Sequence, residues 1–151
     1  MSVPEPVAAL VRGRPQVGTE EQVFPFLTVD DDGHPHVALL SRAELDIDAT
    51  GDRLLAAVAA TTTGRNLRRD GRAGLIAVEG TTAHELKLEL VRVIEDDVML
   101  GLAFEVVEHE ADSLGIPLQP MRFHATADVA ALERWDHCAE LLAQLGAAVA
   151  G

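Results

Sequence analysis

Residues 23–47 read VFPFLTVDDDGHPHVALLSRAELDI and contain two apolar runs on either side of a turn signal. The first run, residues 23–29, is rich in β-branched and aromatic side chains, which favour strands. The sequence DDDG that follows is typical of a turn, with Gly33 where a positive φ is needed. Because residues 36–47 form a second apolar run, the whole stretch predicts a β-hairpin.

Further apolar runs with strand character follow along the chain. A third run spans residues 53–60 and a fourth spans residues 73–78. Residues 85–94 alternate leucines with polar side chains, the period-two pattern of a half-buried strand. Two more strands are predicted over residues 98–108 and 121–127.

Helices are predicted in three places. Residues 4–12 form a short amphipathic segment, and residues 66–70 form a helical turn after the third strand. From Asp128 to Leu145, apolar side chains advance by three or four positions, which indicates an amphipathic helix. Asp128 is the expected N-cap of this helix, and Gly146 is its expected end.

Together these elements predict a mainly β fold of the β+α class. Six or seven strands in meander order, with a short helix after the third strand and a C-terminal helix, favour a small antiparallel β-barrel. A parallel α/β sheet would need a long helix after nearly every strand. The 151 residues are 48% apolar and 25% charged, which predicts one domain covering residues 1–151.

Composition and charge exclude several classes of function. The net charge is −13, from 12 Lys and Arg against 25 Asp and Glu, and such a surface repels nucleic acid. Since Cys138 is the single cysteine, it cannot form an internal disulfide, and it excludes a cysteine-based zinc site. With neither a signal peptide nor a membrane span in the sequence, we expect a cytoplasmic protein with no membrane partner.

Familiar catalytic motifs are missing from the sequence, and no side chain is predicted to act as acid or base. His34 and His36 stand at strand spacing close to Asp30, so that a metal site is geometrically allowed. A polar hairpin rim explains these residues equally well, and we predict no metal site. We interpret Cys138, on the apolar stripe of the last helix, as a core residue.

The junction TTTGR at residues 61–65 is the segment most informative about binding. It offers the hydroxyls of Thr61, Thr62 and Thr63, a glycine, and then Arg65 at the start of a short helix. Hydroxyl donors, a fixed positive charge and a helix N-terminus together suit one phosphate group. The alternative is a threonine-rich turn in which Thr63 caps the helix at residues 66–70.

The order of these motifs resembles the pyridoxamine 5'-phosphate oxidase-like family of flavin-binding split β-barrels. The matching pieces are LTV at residues 27–29, DGHPHV at residues 32–37, RNL at residues 65–67 and the strand that begins AGLI at residue 73. The resemblance covers roughly residues 20–110. It implies an antiparallel split β-barrel and a homodimer with FMN bound at its interface.

The resemblance also implies a set of cofactor-binding residues. The FMN phosphate would contact the threonines at 61 to 63 and Arg65, with Arg69 as a further candidate. The second strand would run along the edge of the flavin ring, which assigns Val37, Leu39 and Ser41 to the ring.

The resemblance implies an FMN-binding oxidoreductase that transfers hydride through the flavin N5 to or from an unknown small-molecule substrate. His36, Ser41 and Gly64 stand where the oxidase has basic residues, so oxidation of vitamin B6 is not predicted. Two alternatives stay open. One is an F420- or haem-binding protein of the same fold, and the other is a cofactor-free dimeric binding or regulatory module.

Overall fold

The computed structural model describes residues 1–59 and 61–150 and confirms a mainly β fold. Ala60, the predicted end of the third strand, lies outside the described residues. The described elements, in chain order, are α1 (Glu5–Val11), β1 (Glu20–Gln22), β2 (Phe24–Val29), β3 (Pro35–Leu40), β4 (Leu45–Ile47), β5 (Arg53–Ala59), α2 (Thr62–Asp70), β6 (Arg72–Glu79), β7 (Thr82–Glu95), β8 (Met99–Ser113), β9 (Arg122–His124), α3 (Ala127–Leu132) and α4 (Trp135–Ala150).

Seven of the described strands form one antiparallel sheet in the order β3-β2-β6-β7-β8-β5-β4, and β1 pairs with β9 in a second, small sheet. This order differs from the predicted meander. The strands β6, β7 and β8 do follow one another, but β5 pairs with β8 and β2 pairs with β6. Helix α2 connects β5 with β6, which are separated in the sheet by the two strands β7 and β8, and local sequence patterns do not reveal this crossover.

The large sheet curls around an apolar interior. Phe26 on β2 and Phe104 on β8 meet edge to face, with ring centroids 5.7 Å apart. Strands β2 and β8 are three positions apart in the sheet, so in a flat sheet they would be separated by about 14 Å. The contact therefore requires the barrel-like curvature that the fold prediction assumed.

Helix α4 covers the outer face of the sheet where β5 and β8 lie. Its buried side chains Cys138, Leu141, Leu142 and Leu145 pack in one cluster with residues of these two strands. Gly101 on β8 permits this approach, because a Cβ there would lie 3.3 Å from Leu141 and 2.9 Å from Ile94. In the described residues, no helix has the length and apolarity required to cross a membrane.

The C-terminal region is two helices rather than the single one predicted from Asp128. Thr126, and not Asp128, is the N-cap of α3, and its hydroxyl accepts the Val129 N–H at 3.1 Å. Arg134 adopts a positive φ of 54° between the helices. Gly146 does not end α4 but lies within it, where a Cβ would lie 3.6 Å from Leu55 Cδ1 on the sheet.

The second predicted strand, residues 36–47, is also divided. Strands β3 and β4 stand at opposite edges of the large sheet, and a turn at residues 41–44 separates them. The Glu44 N–H donates to the Ser41 carbonyl at 3.0 Å, and the Glu44 carboxylate accepts the Ser41 N–H at 3.1 Å. These bonds stabilise the turn, which an apolar-run analysis cannot detect.

Helix α2 begins at Thr62, four residues earlier than predicted. Thr61 is the N-cap, and its side chain makes no capping hydrogen bond. The alternative in which Thr63 caps a helix at residues 66–70 is therefore wrong. The predicted strand at residues 121–127 shortens to β9, and its partner β1 was missed because three polar residues show no strand pattern.

Two side-chain amides tie separate elements together. The Asn66 amide on α2 donates to Thr28 Oγ1 and to Asp30 Oδ1, at 3.0 Å each. The Gln22 amide donates to the Val78 carbonyl at 3.1 Å and accepts the Val78 N–H at 2.9 Å. The first joins α2 to the β2–β3 hairpin, and the second joins β1 to β6.

The small sheet is also held by a buried ion pair. Arg42 donates to the two Glu21 oxygens at 2.6 and 3.0 Å, and Glu21 is only 7% exposed. Burial acts to raise the pKa of Glu21, but hydrogen bonds from Arg42 and from the Gln16 N–H outweigh it and lower the pKa.

Replacing Asn66 should destabilise the fold measurably. In Asn66→Ala the buried Thr28 hydroxyl loses its donor, so we expect the free energy of unfolding to fall by about 1–3 kcal/mol in urea denaturation. Arg72→Ala, an exposed change two residues beyond α2, serves as the control and should stay within about 0.5 kcal/mol of the parent. Equal effects of the two variants would contradict the anchoring role of Asn66.

Candidate functional site

The N-terminus of α2 presents free backbone donors. The first N–H groups of a helix have no partner within the helix. In α2, the Arg65 N–H makes the first bond of the helical ladder, to the Thr61 carbonyl at 3.1 Å. Thr61 is exposed, Thr62 is half-buried, and Thr63 is buried with 3% exposure. Of the three predicted hydroxyls, those of Thr61 and Thr62 are therefore the more accessible to a ligand.

Arg65 is exposed, and among the residues that the structure describes its guanidinium has no ion-pair partner. Two surface grooves meet at this side chain. One is lined by the three aspartates at 30 to 32 together with Thr62 and Asn66. The other, of about 290 Å³, is lined by Thr61, Gly64, Arg68 and Leu100.

The two grooves differ in charge. The aspartates make the first groove repulsive to an anion, whereas the second contains Arg65 and Arg68 on one face of α2. Arg68 bonds to Glu95 at 2.5 Å, with both side chains about half exposed. The second groove is therefore the one suited to a phosphate, and Arg65 is its unpaired cation among the described residues, since Glu95 already pairs with Arg68.

Arg69, predicted as a looser phosphate contact, is engaged elsewhere. Its guanidinium donates to the Asp31 carboxylate and to the Val29 carbonyl, and it lies 3.3 Å from an Asp70 oxygen. It also donates to Asn66 Oδ1 at 3.3 Å. These contacts fasten α2 to the β2–β3 turn, so the Arg69 side chain positions the helix and is not directed at the second groove.

Gly64 has a packing role in the structure. It is buried in α2, and a Cβ at this position would lie 2.6 Å from Leu100 Cδ1 on β8. The glycine therefore lets the first turn of the helix rest against the sheet. This close packing fixes where the free N–H groups of α2 point.

The predicted ring-binding residues separate into two environments. Val37 and Leu39 alternate on one face of β3 and are 50% and 60% exposed. Ser41 lies beyond the end of β3, is only 5% exposed, and donates its hydroxyl to Glu44 Oε1 at 3.3 Å. The open apolar surface on this edge strand is thus formed by Val37 and Leu39.

The histidines of the hairpin contact aspartates. His34 Nδ1 lies 3.1 Å from Asp32, and His36 Nδ1 lies 4.0 Å from Asp30. Over residues 1–59 and 61–150, no cluster of three or more metal-ligating side chains is present.

A separate cavity of about 180 Å³ contains an unusual carboxyl group, that of Glu44. Burial raises the pKa of Glu44 to about 7, with a further contribution from the Glu133 carboxylate and against hydrogen bonds from Ser41. Burial likewise raises the pKa of Cys138 to about 11, which keeps that thiol protonated and agrees with a packing role.

Comparison with solved structures identifies the fold, although no family model matches the sequence and no curated protein matches it significantly. An F420 reductase is 14% identical, with a TM-score of 0.56 over 72% of this chain and 98% of its own. The styrene monooxygenase flavin reductase from Pseudomonas putida is 9% identical, with a TM-score of 0.54 over 80% of this chain and 93% of its own. The NADH:FAD oxidoreductase SgcE6 from Streptomyces globisporus is 10% identical, with a TM-score of 0.52 over 70% and 82%.

These similarities show that the chain has the split β-barrel fold of flavin and F420 reductases. The fold that the motifs in residues 20–110 predicted is therefore confirmed. Identities of this size establish the architecture alone.

The raised pKa of Glu44 should appear in the pH dependence of stability. The folded state holds this proton up to about pH 7, whereas the ordinary pKa is 4.5. The stabilising contribution is therefore complete below pH 4.5 and is lost as the pH rises through about 7. In Glu44→Gln this loss should vanish, so the stability difference from the parent should change by up to about 3 kcal/mol across that window.

Urea unfolding at a series of pH values measures this difference. Glu140→Gln, at an exposed position of α4, is the matched control and should give a curve parallel to that of the parent. A parallel curve for Glu44→Gln as well would show that Glu44 ionises normally in the folded protein.

Proposed function

We propose that this chain is a cytoplasmic FMN-dependent oxidoreductase, a single domain over residues 1–151 that works as a homodimer on a small-molecule substrate. The observation that carries the proposal is Arg65, an exposed cation beside the free N–H groups of α2. It stands in a fold shared with solved flavin reductases. The unpaired Cys138 agrees with a reducing compartment.

The phosphate of FMN suits the second groove beside Arg65, the one lined by Thr61 and Gly64. A dianionic group there would accept hydrogen bonds from the α2 N–H groups and from the Thr61 hydroxyl, with Arg65 supplying a charge-assisted bond. Arg68 lines the same groove, where its guanidinium is already paired with Glu95. Thr63 contributes through its backbone N–H group, since its side chain is buried. Thr62 does the same, because its side chain lines the first groove and not the second.

The flavin ring requires an apolar surface with backbone donors and acceptors nearby. Strand β3 provides both, because Val37 and Leu39 are exposed and β3 is an edge strand of the described sheet. When bound, the flavin supplies hydride acceptance and donation at N5. The chain's own contribution is to hold the phosphate and orient the ring, while Ser41 organises the turn after β3 through Glu44.

Two other functions fit parts of the structure. An F420 reductase is among the solved proteins with this fold, and the grooves at Arg65 could take the phosphate of such a cofactor. The aspartates at 30 to 32 oppose a longer anionic tail. The visible spectrum of the purified protein separates flavin, deazaflavin, haem and a cofactor-free module.

Removing the Arg65 guanidinium should weaken the binding of FMN but not that of riboflavin. We expect Arg65→Ala to lower FMN affinity about tenfold to a hundredfold, the equivalent of about 1.5–3 kcal/mol for a lost charge-assisted bond. Riboflavin lacks the phosphate, so its affinity should change little. Fluorescence titration of both ligands measures the two effects.

The charge-matched control is Arg72→Ala, at an exposed position outside both grooves. Its affinity for FMN should equal that of the parent. If Arg65→Ala weakened riboflavin as much as FMN, or if both arginine variants weakened FMN equally, the phosphate site would be elsewhere.

A homodimer would cover the open apolar face of β3. Val37 and Leu39 lie on an edge strand whose outer side has no partner strand among the described residues, and such edges are normally covered or charged. We therefore expect sedimentation to give about twice the chain mass of 16.1 kDa.

Leu39→Asp tests this interface, since a carboxylate in an apolar contact is costly to bury. The variant should sediment as a monomer and lose FMN binding with it. Leu132→Asp is the control, because Leu132 is 79% exposed on α3 and is not part of β3. A parent protein that is monomeric at micromolar concentration would contradict the dimer.

A further inference from the structure

The cavity at Glu44 lies where three distant parts of the chain meet. The end of β3 and the turn after it contribute Leu39, Ser41 and Glu44, while β9 contributes Phe123. Trp135 at the start of α4 completes the wall. Most of the lining is apolar, and two carboxyl groups, those of Glu44 and Glu133, are set into it.

Two aromatic rings define the apolar side of this cavity. Phe123 and Trp135 meet edge to face, with centroids 6.3 Å apart and planes at 75°. This packing fixes both rings. Trp135 is 6% exposed and Phe123 is half-buried, so a hydrocarbon chain or a cation can contact only the parts of the rings that line the cavity. The volume of about 180 Å³ corresponds to about six water molecules, or a ligand of similar heavy-atom count.

The Glu44 carboxyl has one free oxygen. Oε1 accepts both Ser41 donors, the N–H at 3.1 Å and the hydroxyl at 3.3 Å. In the described part of the chain, Oε2 has no hydrogen-bond partner, and neither Lys nor Arg lines the cavity. An occupant must therefore bring its own donor, and a positive charge is the best match.

Glu133 strengthens this preference. It is exposed, lines the same cavity, and its carboxylate raises the pKa of Glu44 further above the value set by burial. Like charges that share a cavity disfavour ionisation of the buried one. A bound cation relieves that repulsion and lets Glu44 ionise.

We propose that this cavity binds a small molecule bearing a protonated primary amine on a short hydrocarbon chain. The ammonium group donates to Glu44 Oε2, and the hydrocarbon packs on Phe123 and Trp135. The cavity shares no residue with the phosphate groove at Arg65, although it borders the proposed ring surface through Leu39 and Ser41. It goes beyond the proposed redox function and requires no flavin.

Tryptophan fluorescence tests the proposal directly. Trp135 is the single tryptophan of the chain, so a titration with butylammonium reports from the cavity itself. We expect a saturable change, with 1-butanol binding at least tenfold more weakly because it carries no charge. At pH 7, binding should also release protons, since a bound cation favours the ionised form of Glu44, whose pKa burial raises to about 7.

The decisive variant is Glu44→Gln, whose amide oxygen can still accept both Ser41 donors and so preserve the turn. It should lower the affinity for butylammonium at least tenfold and abolish proton release, while leaving the affinity for 1-butanol unchanged. Glu140→Gln is the control and should behave as the parent. Equal butylammonium affinity in the parent and Glu44→Gln, or no fluorescence change up to millimolar amine, would overturn the proposal.

Neither outcome depends on flavin, because the titration contains none. A failed amine titration would leave the FMN results at Arg65 intact. Conversely, a protein that binds butylammonium through Glu44 but shows no affinity for FMN would retain this site and lose the proposed redox function.

Discussion

The fold depends on curling one sheet until its own side chains meet across the interior. The Phe26–Phe104 contact marks this closure, since it joins strands three positions apart. The positions of the helix and hairpin at the end of the sheet follow from this closure. Because α2 must span from β5 to β6, its first turn is pressed against Leu100 through Gly64, and its Asn66 reaches the hairpin. The sheet thereby sets the direction in which Arg65 points.

Local sequence patterns predicted most of the secondary structure. The alternation over residues 85–94 and the DDDG turn at residues 30–33 depend only on neighbouring residues in the chain. The structure contains both predicted elements, β7 and the β2–β3 hairpin. Strand order was not predictable, because pairing between β5 and β8 depends on partners about 45 residues apart. The break between α3 and α4 lies at Arg134, a non-glycine residue with positive φ. Local sequence gives no signal for this break.

The candidate site shows the same division. Thr61, Thr62 and Arg65 were predicted from consecutive residues, and the structure keeps them together at the α2 N-terminus. The engagement of Arg69 with the β2–β3 turn could not be foreseen, since it needs the tertiary position of Asp31. Glu44 was missed for a similar reason: a glutamate inside an apolar run reads as a surface residue until Phe123 and Trp135 enclose it.

Gln22 has a consequence for how the interior strand β6 is completed. Strand β2 pairs with β6 only near Leu75 and Gly74, which leaves the backbone at Val78 without a paired residue on that side. The Gln22 amide occupies both of its polar groups and takes the place of one peptide unit of a neighbouring strand. A side chain therefore continues the hydrogen-bond ladder of β6 beyond the point where its pairing with β2 ends.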